Sequence, residues 1–447
     1  MNALQSLKIV CLLGPALFQA VASGAQPVTR SAGGGYHTLF VKSDGSLWAM
    51  GYNFYGQLGD GTYNTFTNQP ERVVTNGVTA IAGGLYHSLF LKSDGGLWAM
   101  GGNQYGQLGD GTYNKTNQPE LIVTNGVTAI ATMWEHDLFL QSDGSLWAMG
   151  DNQYGQLGDG NNAFTNRPVL IVTNHVTAIA SGFQHSLFLK SDGSLWAMGY
   201  NEYGQLGDGT DNNTNQPELI VTNGVTAIAA GGQHSLFLKS DGSLWAMGYN
   251  GYGQLGDGTG KESTNRPEQI VASGVTAIAA GFEHSLFLKS DGSLWAMGGN
   301  FSGQLGDGTD NSAYVPEQIV ASGVTAIAAG DSFSLFLKSD GSLWAMGDNS
   351  YGELGNGTTN NINPPEQIVA GPPGYNQISI QLLSGSNVSL SYVGIAGTNY
   401  ALDYSFSLSP ANWVPLATNP AGAGGVLVFT NTPDPITNNF WRIRSLP

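Results

Sequence analysis

PELIVTNGVTAIAAGGQHSLFLKSDGSLWAMGYNGYGQLGDGTG, residues 217–260, is one copy of a segment that recurs along the chain, its tryptophan falling at Trp48, Trp98, Trp147, Trp196, Trp245, Trp295 and Trp344. The spacings are 50, 49, 49, 49, 50 and 49 residues, a period at which repeats build propellers or solenoids. Within the copy, four apolar runs (PELIV, VTAIA, HSLFLK and SLWAMG) are separated by Asn223-Gly224, by AGGQH and by Asp241-Gly242. Asn-Gly and Asp-Gly accept the positive φ of two-residue turns, so the four runs are expected to form a meander of short strands.

Short turns join neighbouring strands, whereas crossing a four-stranded sheet spans three gaps of about 4.8 Å each. The long loop GYNGYGQLGDGTGKESTN is therefore expected to carry the chain from the outer edge of one blade to the inner edge of the next. PELIV becomes the innermost strand. Its Pro70, Pro119, Pro168, Pro217, Pro267, Pro316 or Pro365 opens the strand, where a missing N–H is tolerated. In this frame the first unit lacks such a strand, and the last one, Pro365 to Val369, has no blade of its own. That strand is expected to complete the N-terminal blade and leave no free sheet edge.

The fold class is thus all-β: a seven-bladed β-propeller closed by a C-terminal strand and followed by a small β-sandwich. The propeller occupies 26–370, GPPG supplies a linker at 371–374, and 375–447 carries alternating runs such as VSLSYVG, YALDYSFSL and VLVFTN between Ser, Asn, Gly and Pro. Residues 1–25 contain Lys8, an apolar run from Ile9 to Phe18 and small residues at Ala20, Ala22 and Ala25, the pattern of a cleaved secretory signal. The run is too short for a membrane span, and no second candidate follows. The one cysteine, Cys11, lies inside that segment, so no disulfide or thiol chemistry is expected. A net charge of −17 argues against nucleic acid or an anionic membrane surface as partner.

The period, GQLG and the run GxxHSLFL…DGSLWAMG together resemble the regulator of chromosome condensation repeat family, over residues 28–369. The resemblance implies a seven-bladed propeller. Kelch repeats have a similar period but a different Gly-Gly, Tyr and Trp arrangement, and WD repeats are shorter. The name-giving members exchange nucleotide on a small nuclear GTPase, an activity not expected of a secreted acidic chain. In lifestyle the chain is more similar to the secreted bacterial propellers that inhibit β-lactamase through an aromatic face. The C-terminal segment resembles terminal domains of secreted bacterial surface proteins.

His37, His87, His136, His185, His234 and His284 recur at one position, with Phe333 in the seventh copy. An active site needs one such residue rather than six, so these histidines are expected to bond backbone between blades. GQLGDGT lacks the lysine and helix of a phosphate loop. The Asp of each Asp-Gly turn is required by the turn, and no metal-ligand spacing, nucleophile or paired carboxylate stands apart from the repeat. No catalytic residue, metal or cofactor is expected.

Function is sought where the copies disagree. The residues before the repeated histidine and those of the NxxG loop vary most, and both lie at one end of the expected meander. Tyr36, Phe54, Leu85, Tyr86, Trp134, Glu135, Phe183, Phe282, Glu283 and Phe301 are the candidate partner-binding residues. The third copy departs furthest, as TMWEHDLFLQ at 132–141, and Trp134 is the expected anchor. Exposed aromatics with few charges favour a protein partner. The chain is therefore expected to be a secreted, monomeric, non-catalytic binding protein, with a glycan-binding adhesin as the alternative. A propeller lyase or glycosidase would need a lone acid/base cluster near the axis.

Overall fold

The computed structural model describes residues 26–373, 375–376, 378–382, 388–395, 398–405, 414–421, 426–431 and 440–446, and the signal segment expected at 1–25 lies outside them. The chain divides into two compact units, one of them Gln26–Gln377 and the other containing Ile378–Pro447. In the first unit, strands β1–β28 form seven four-stranded antiparallel sheets, the blades of a propeller. In the first blade these are β1 (Val28–Gly33), β2 (His37–Lys42), β3 (Leu47–Tyr52) and β4 (Phe66–Val74), hydrogen-bonded in that order.

Two expectations about strand order are corrected. The VTAIA-type strand is innermost and touches its counterparts in both neighbouring blades, while the PELIV-type strand is outermost. The Gly-rich loop joins strands three and four of one blade, and the chain passes to the next blade through three residues alone, TNG after the first blade and TNG, TNH or ASG after the others. From Val74 to Val78 is four Cα steps, which span up to about 14 Å when extended. That matches three strand gaps, so a linker judged too short by its turn chemistry suffices. The seventh blade, β25 (Val324–Ala329), β26 (Phe333–Lys338), β27 (Leu343–Gly347) and β28 (Ile362–Val369), is consequently complete. β28 pairs with β27, so the C-terminal strand does not complete the first blade.

Closure comes instead from β1 packing on β25 and β26, and from Val28 N donating to Gly341 O at 3.0 Å. The seventh GQLG loop also reaches over onto β4, where Asn68 Nδ2 donates to Gly357 O at 2.9 Å and Gly357 N donates to Asn68 O at 2.8 Å.

Both faces of every blade are apolar, and the core is a set of layers between blades. Leu39, Val41, Leu47 and Ala49 of the first blade meet Val78, Phe90 and Met100 of the second. Leu335, Leu337, Leu343 and Ala345 of the seventh meet Val28, Phe40 and Met50 of the first in the same way. Gly59, at φ +71°, ends the GQLG loop against Met100 of the next blade, and a Cβ there would collide with the Met100 sulfur.

The repeated polar residues hold this scaffold together. Five of the six histidines reach a serine of the next blade: His37 to Ser88 at 2.7 Å, His136 to Ser186, His185 to Ser235, His234 to Ser285 and His284 to Ser334. The partner is a hydroxyl rather than the backbone expected, and Ser88 Oγ in turn donates to Gln57 O at 2.8 Å. Burial drives His37, His136, His185 and His234 down to about 3. In the third copy the serine is Asp137, buried and 2.8 Å from His87 Nε2. At the seam between the seventh and first blades Phe333 replaces the histidine, and the buried Thr38 hydroxyl has no partner. At the opposite end of the first blade, Asp44 Oδ1 accepts from Ser46 N and Oγ, Trp48 Nε1 donates to Ser46 Oγ at 2.9 Å, and Lys42 Nζ lies 4.2 Å over the indole. These turn aspartates are occupied by their own turns, as expected.

The second unit contributes β29 (Ile378–Leu382), β30 (Val388–Val393), β31 (Asn399–Ser405), β32 (Val414–Pro420), β33 (Val426–Asn431) and β34 (Phe440–Ser445). They form two three-stranded sheets, β29-β30-β33 and β32-β31-β34. Leu390, Leu427 and Phe429 from one sheet pack with Tyr400 and Leu402 from the other.

The buried departures from the repeat predict stability changes that equilibrium unfolding can read. In the second copy Gly96 stands where others have serine, leaving Trp98 Nε1 buried without a partner. Gly96→Ser should restore the Asp–Ser–Trp chain and stabilise by about 1 kcal/mol; Ser145 and Ser194 already fit beside Leu170 and Leu219, the counterparts of Leu121. Thr38→Val should be neutral or stabilising, because the hydroxyl it removes is unpaired, whereas Ser88→Ala should cost about 1–3 kcal/mol. Glu353 replaces the glutamine of GQLG in the seventh copy and is fully buried, with Oε1 unpaired. Burial first, and then Asp348, pushes its carboxyl up to about 7 from 4.5. It holds its proton more tightly in the fold than in the unfolded chain, so its contribution to stability is full below about pH 4.5 and is lost as the pH rises through about 7. Glu353→Gln should therefore stabilise by about 1 kcal/mol or more at pH 8 and by little at pH 5. An equal gain at both pH values would rule out the buried charge as its cause.

Candidate binding face

The strand order places the two variable segments at the same end of each blade. Tyr52 N donates to Tyr36 O at 2.8 Å, and the same bond recurs from Gly102 to Tyr86, Asp151 to Glu135, Tyr200 to Gln184, Tyr249 to Gln233, Gly299 to Glu283 and Asp348 to Ser332. The GQLG loop is fixed from within: Asn53 Oδ1 accepts from Leu58 N, Asn53 Nδ2 donates to Asp60 Oδ1 at 3.1 Å, and Gln57 Oε1 accepts from Tyr55 N. Its repeated residues build the loop, while the two residues between Asn and Gly ride on the surface.

The candidate residues fall into two rings. Nearest the axis, Trp134, Phe183 and Phe282 pack together, with Trp134 4.3 Å from Phe183 and 6.0 Å from Phe282 between ring centroids. They come from the third, fourth and sixth blades, so the contact bridges the mouth of the central opening. Backbone bonds link the same turns from blade to blade everywhere except between the third and fourth: Gly35 N to Gly84 O, Leu85 N to Trp134 O, Phe183 N to Gly231 O, Gly232 N to Gly281 O, Phe282 N to Asp331 O and Asp331 N to Gly34 O. Trp134, expected as the anchor, is half-buried, with its ring packed against Phe183 and Phe282. Leu85, expected on the face, is only 4% exposed and lies on Gly35.

The outer ring is aromatic in two arcs. One contains Tyr36, Tyr52, Phe54, Tyr55, Tyr86 and Tyr351, with Tyr55 4.6 Å from Tyr86 and Tyr52 4.7 Å from Tyr351. The other runs through Tyr154, Tyr200, Tyr203, Tyr249, Tyr252 and Phe301, with neighbouring centroids 4.8–6.2 Å apart. Phe54 and Phe301 are the accessible members, at 50% and 62% exposure. Tyr52, Tyr200 and Tyr249 were missed in the sequence reading, although the position after each WAMG varies as openly as the other two.

Carboxylates occupy both gaps between the arcs. Glu135, 7% exposed, and Asp151 lie in one gap. Glu283, Asp331 and Asp348 lie in the other. Burial, reinforced by Asp151, pushes Glu135 up to about 7. Burial, reinforced by Glu283 and Asp348, does the same to Asp331. No group of His, Cys, Asp or Glu able to hold a metal is found among the described residues. Nor is any described helix long and apolar enough to cross a membrane.

Comparison with known proteins gives this architecture a family. Among curated proteins none matches the chain. Of solved structures, human WBSCR16 is 27% identical with a TM-score of 0.64, covering 70% of this chain and 87% of its own. Prp20p from Saccharomyces cerevisiae, described with its binding to Gsp1p and histones, is 24% identical with a TM-score of 0.62 over 69% of this chain and 82% of its own. Yeast RCC1 (Prp20) with Kap60 bound gives 20% identity and a TM-score of 0.66 over 85% and 93%; these last two likenesses speak to the fold. Residues 44–91 and 94–140 match the regulator of chromosome condensation (RCC1) repeat, as do 78–107. With residues 127–399, more than half of its length, matching the RCC1-like domain, the chain belongs to that family of seven-bladed propellers.

Proposed function

We propose that this chain is a secreted, non-catalytic propeller that binds a protein through the loop face carrying the two aromatic arcs. The observation that carries the reading is the exposure of Phe54 and Phe301 on belts of packed tyrosines at one end of the molecule. Pre-packed aromatics lose little side-chain freedom on binding and supply the large apolar area on which interface anchors depend. A net charge of −17 favours a neutral or basic partner. Prp20p is described with protein partners, which makes a protein the class to test first. In this proposal residues 1–25 direct export, the chain acts as a monomer, and the two C-terminal sheets form a small β-sandwich.

Capture of a partner from secreted medium, identified by mass spectrometry and then titrated, tests the face. Phe54→Ala and Phe301→Ala should each weaken that partner about tenfold or more with unchanged melting. Trp134→Ala should lower the melting temperature as well, since its ring packs against Phe183 and Phe282. Undiminished binding by the double variant Phe54→Ala/Phe301→Ala overturns the proposal, and binding confined to a glycan array moves the face to the adhesin class.

A further inference from the structure

The first gap in the outer ring is a cavity of about 150 Å³, lined by Tyr55, Tyr86, Tyr113, Gln104, Lys115 and Glu135, among others. Gly102 borders it. Where the first, fourth and fifth copies carry Tyr52, Tyr200 and Tyr249 after WAMG, the second carries Gly102, as the sixth carries Gly299, and the place that the tyrosine ring takes in those copies is left open. Glu135 forms the deep wall: it is 7% exposed, and its one described hydrogen bond is from Gln104 Nε2 at 3.2 Å. No described cation pairs with it. The flanking aromatic surface already holds an ammonium group, since Lys115 Nζ stands 4.7 Å over Phe54, 5.4 Å over Tyr55 and 4.5 Å over Tyr63 while donating to Phe54 O.

We propose that this cavity is a binding site for a cationic side-chain head, the guanidinium of an arginine or the ammonium of a lysine, presented by a protein partner. Tyrosine rings attract a cation through their faces, and a desolvated carboxylate at the back of the site supplies the charge-assisted hydrogen bond. The volume admits a head group and part of its stem. The site refines the face proposed above by naming the chemistry of one contact, and it rests on that reading only for the partner being a protein.

Glu135 must be ionised to hold a cation, and burial together with Asp151 keeps it near 7. The groups around it are Asp151, whose own carboxyl is raised by burial, Tyr86, Tyr105, His87 and Lys115. The arginine or lysine head stays charged throughout, so its binding should strengthen as the pH rises from 6 to 8.

The test is titration of the full chain with N-acetyl-arginine amide, followed by NMR shifts or calorimetry, with N-acetyl-aspartate amide and methyl glucoside as controls. Glu135→Gln should weaken the arginine probe about fivefold or more. It should fold normally, because Gln184 and Gln233 occupy the same position in the fourth and fifth copies. Gly102→Tyr should abolish binding by filling the cavity as Tyr52 does in the first copy. Lys115→Gln should strengthen binding, since it removes a like charge and frees the rings it covers. Unaltered binding in Glu135→Gln, weaker binding in Lys115→Gln, or preference for the aspartate or sugar probe overturns the cation site. None of these outcomes touches the effect of Phe301→Ala on protein capture, which tests the face from the opposite arc.

Discussion

No blade of this propeller has a face it can show to water. Each sheet is apolar on both sides, and each core layer is shared between the Leu, Leu and Ala of one copy and the Val, Phe and Met of the next. A blade taken alone would expose two such surfaces, so the ring is stable only when the last blade meets the first. Leu335, Leu337 and Leu343 against Phe40 and Met50 supply that seventh layer with the same residue types as the other six. Closure therefore needs no exchanged strand. Full burial of a side chain such as Phe40 stabilises by about 1.5–3 kcal/mol, and the seam buries several at once.

The same constraint explains which parts of the molecule could be read from sequence. The period, the four runs per copy and the Asp-Gly hairpins identify blade number and strand content, because turn chemistry and alternation are local properties. The order of strands across a blade is not local. PELIV can lie at either edge, depending on whether TNG folds as a hairpin turn or extends as a linker. Those three residues have turn composition but act as a bridge, which a positive φ of 80° at Gly224 permits. The closure scheme failed with that choice, since it followed from the frame rather than from any residue. The histidines were recognised as structural because six copies cannot all be catalytic. Their serine partners, one blade away and some 50 residues along, could not be recognised from one sequence.

Departures from the repeat at buried positions form a coherent set. Asp137 meets His87 as a buried pair, Phe333 removes the need for a hydroxyl at Thr38, and Glu353 brings an acid into a glutamine site. Each changes one buried polar group while leaving the apolar layer intact, which is how a repeat tolerates polar change without losing its fold. The candidate residues divide along similar lines. Trp134, Phe183 and Phe282 hold one another across the axis, and only the outer ring keeps rings such as Phe54 and Phe301 in solvent.

The two ends of the propeller differ because their backbones are held differently. At one end most hairpin turns are committed to their own tryptophan: in the fourth copy Asp192 accepts from Ser194, Ser194 accepts from the Trp196 indole, and Lys190 covers the ring, so a change in any member costs the others. At the other end the loop is held by Asn, Gln and backbone, through groups that do not involve the side chains between them. Those intervening positions can change without disturbing the blade. Variation collects there for that physical reason, and aromatic residues placed on so rigid a base enter a contact with most of their ordering already done. A Gly in place of Tyr then has a larger consequence than loss of one ring: at Gly102 it opens a space whose back wall is a buried carboxylate, and the repeat itself supplies the contrast that makes this visible.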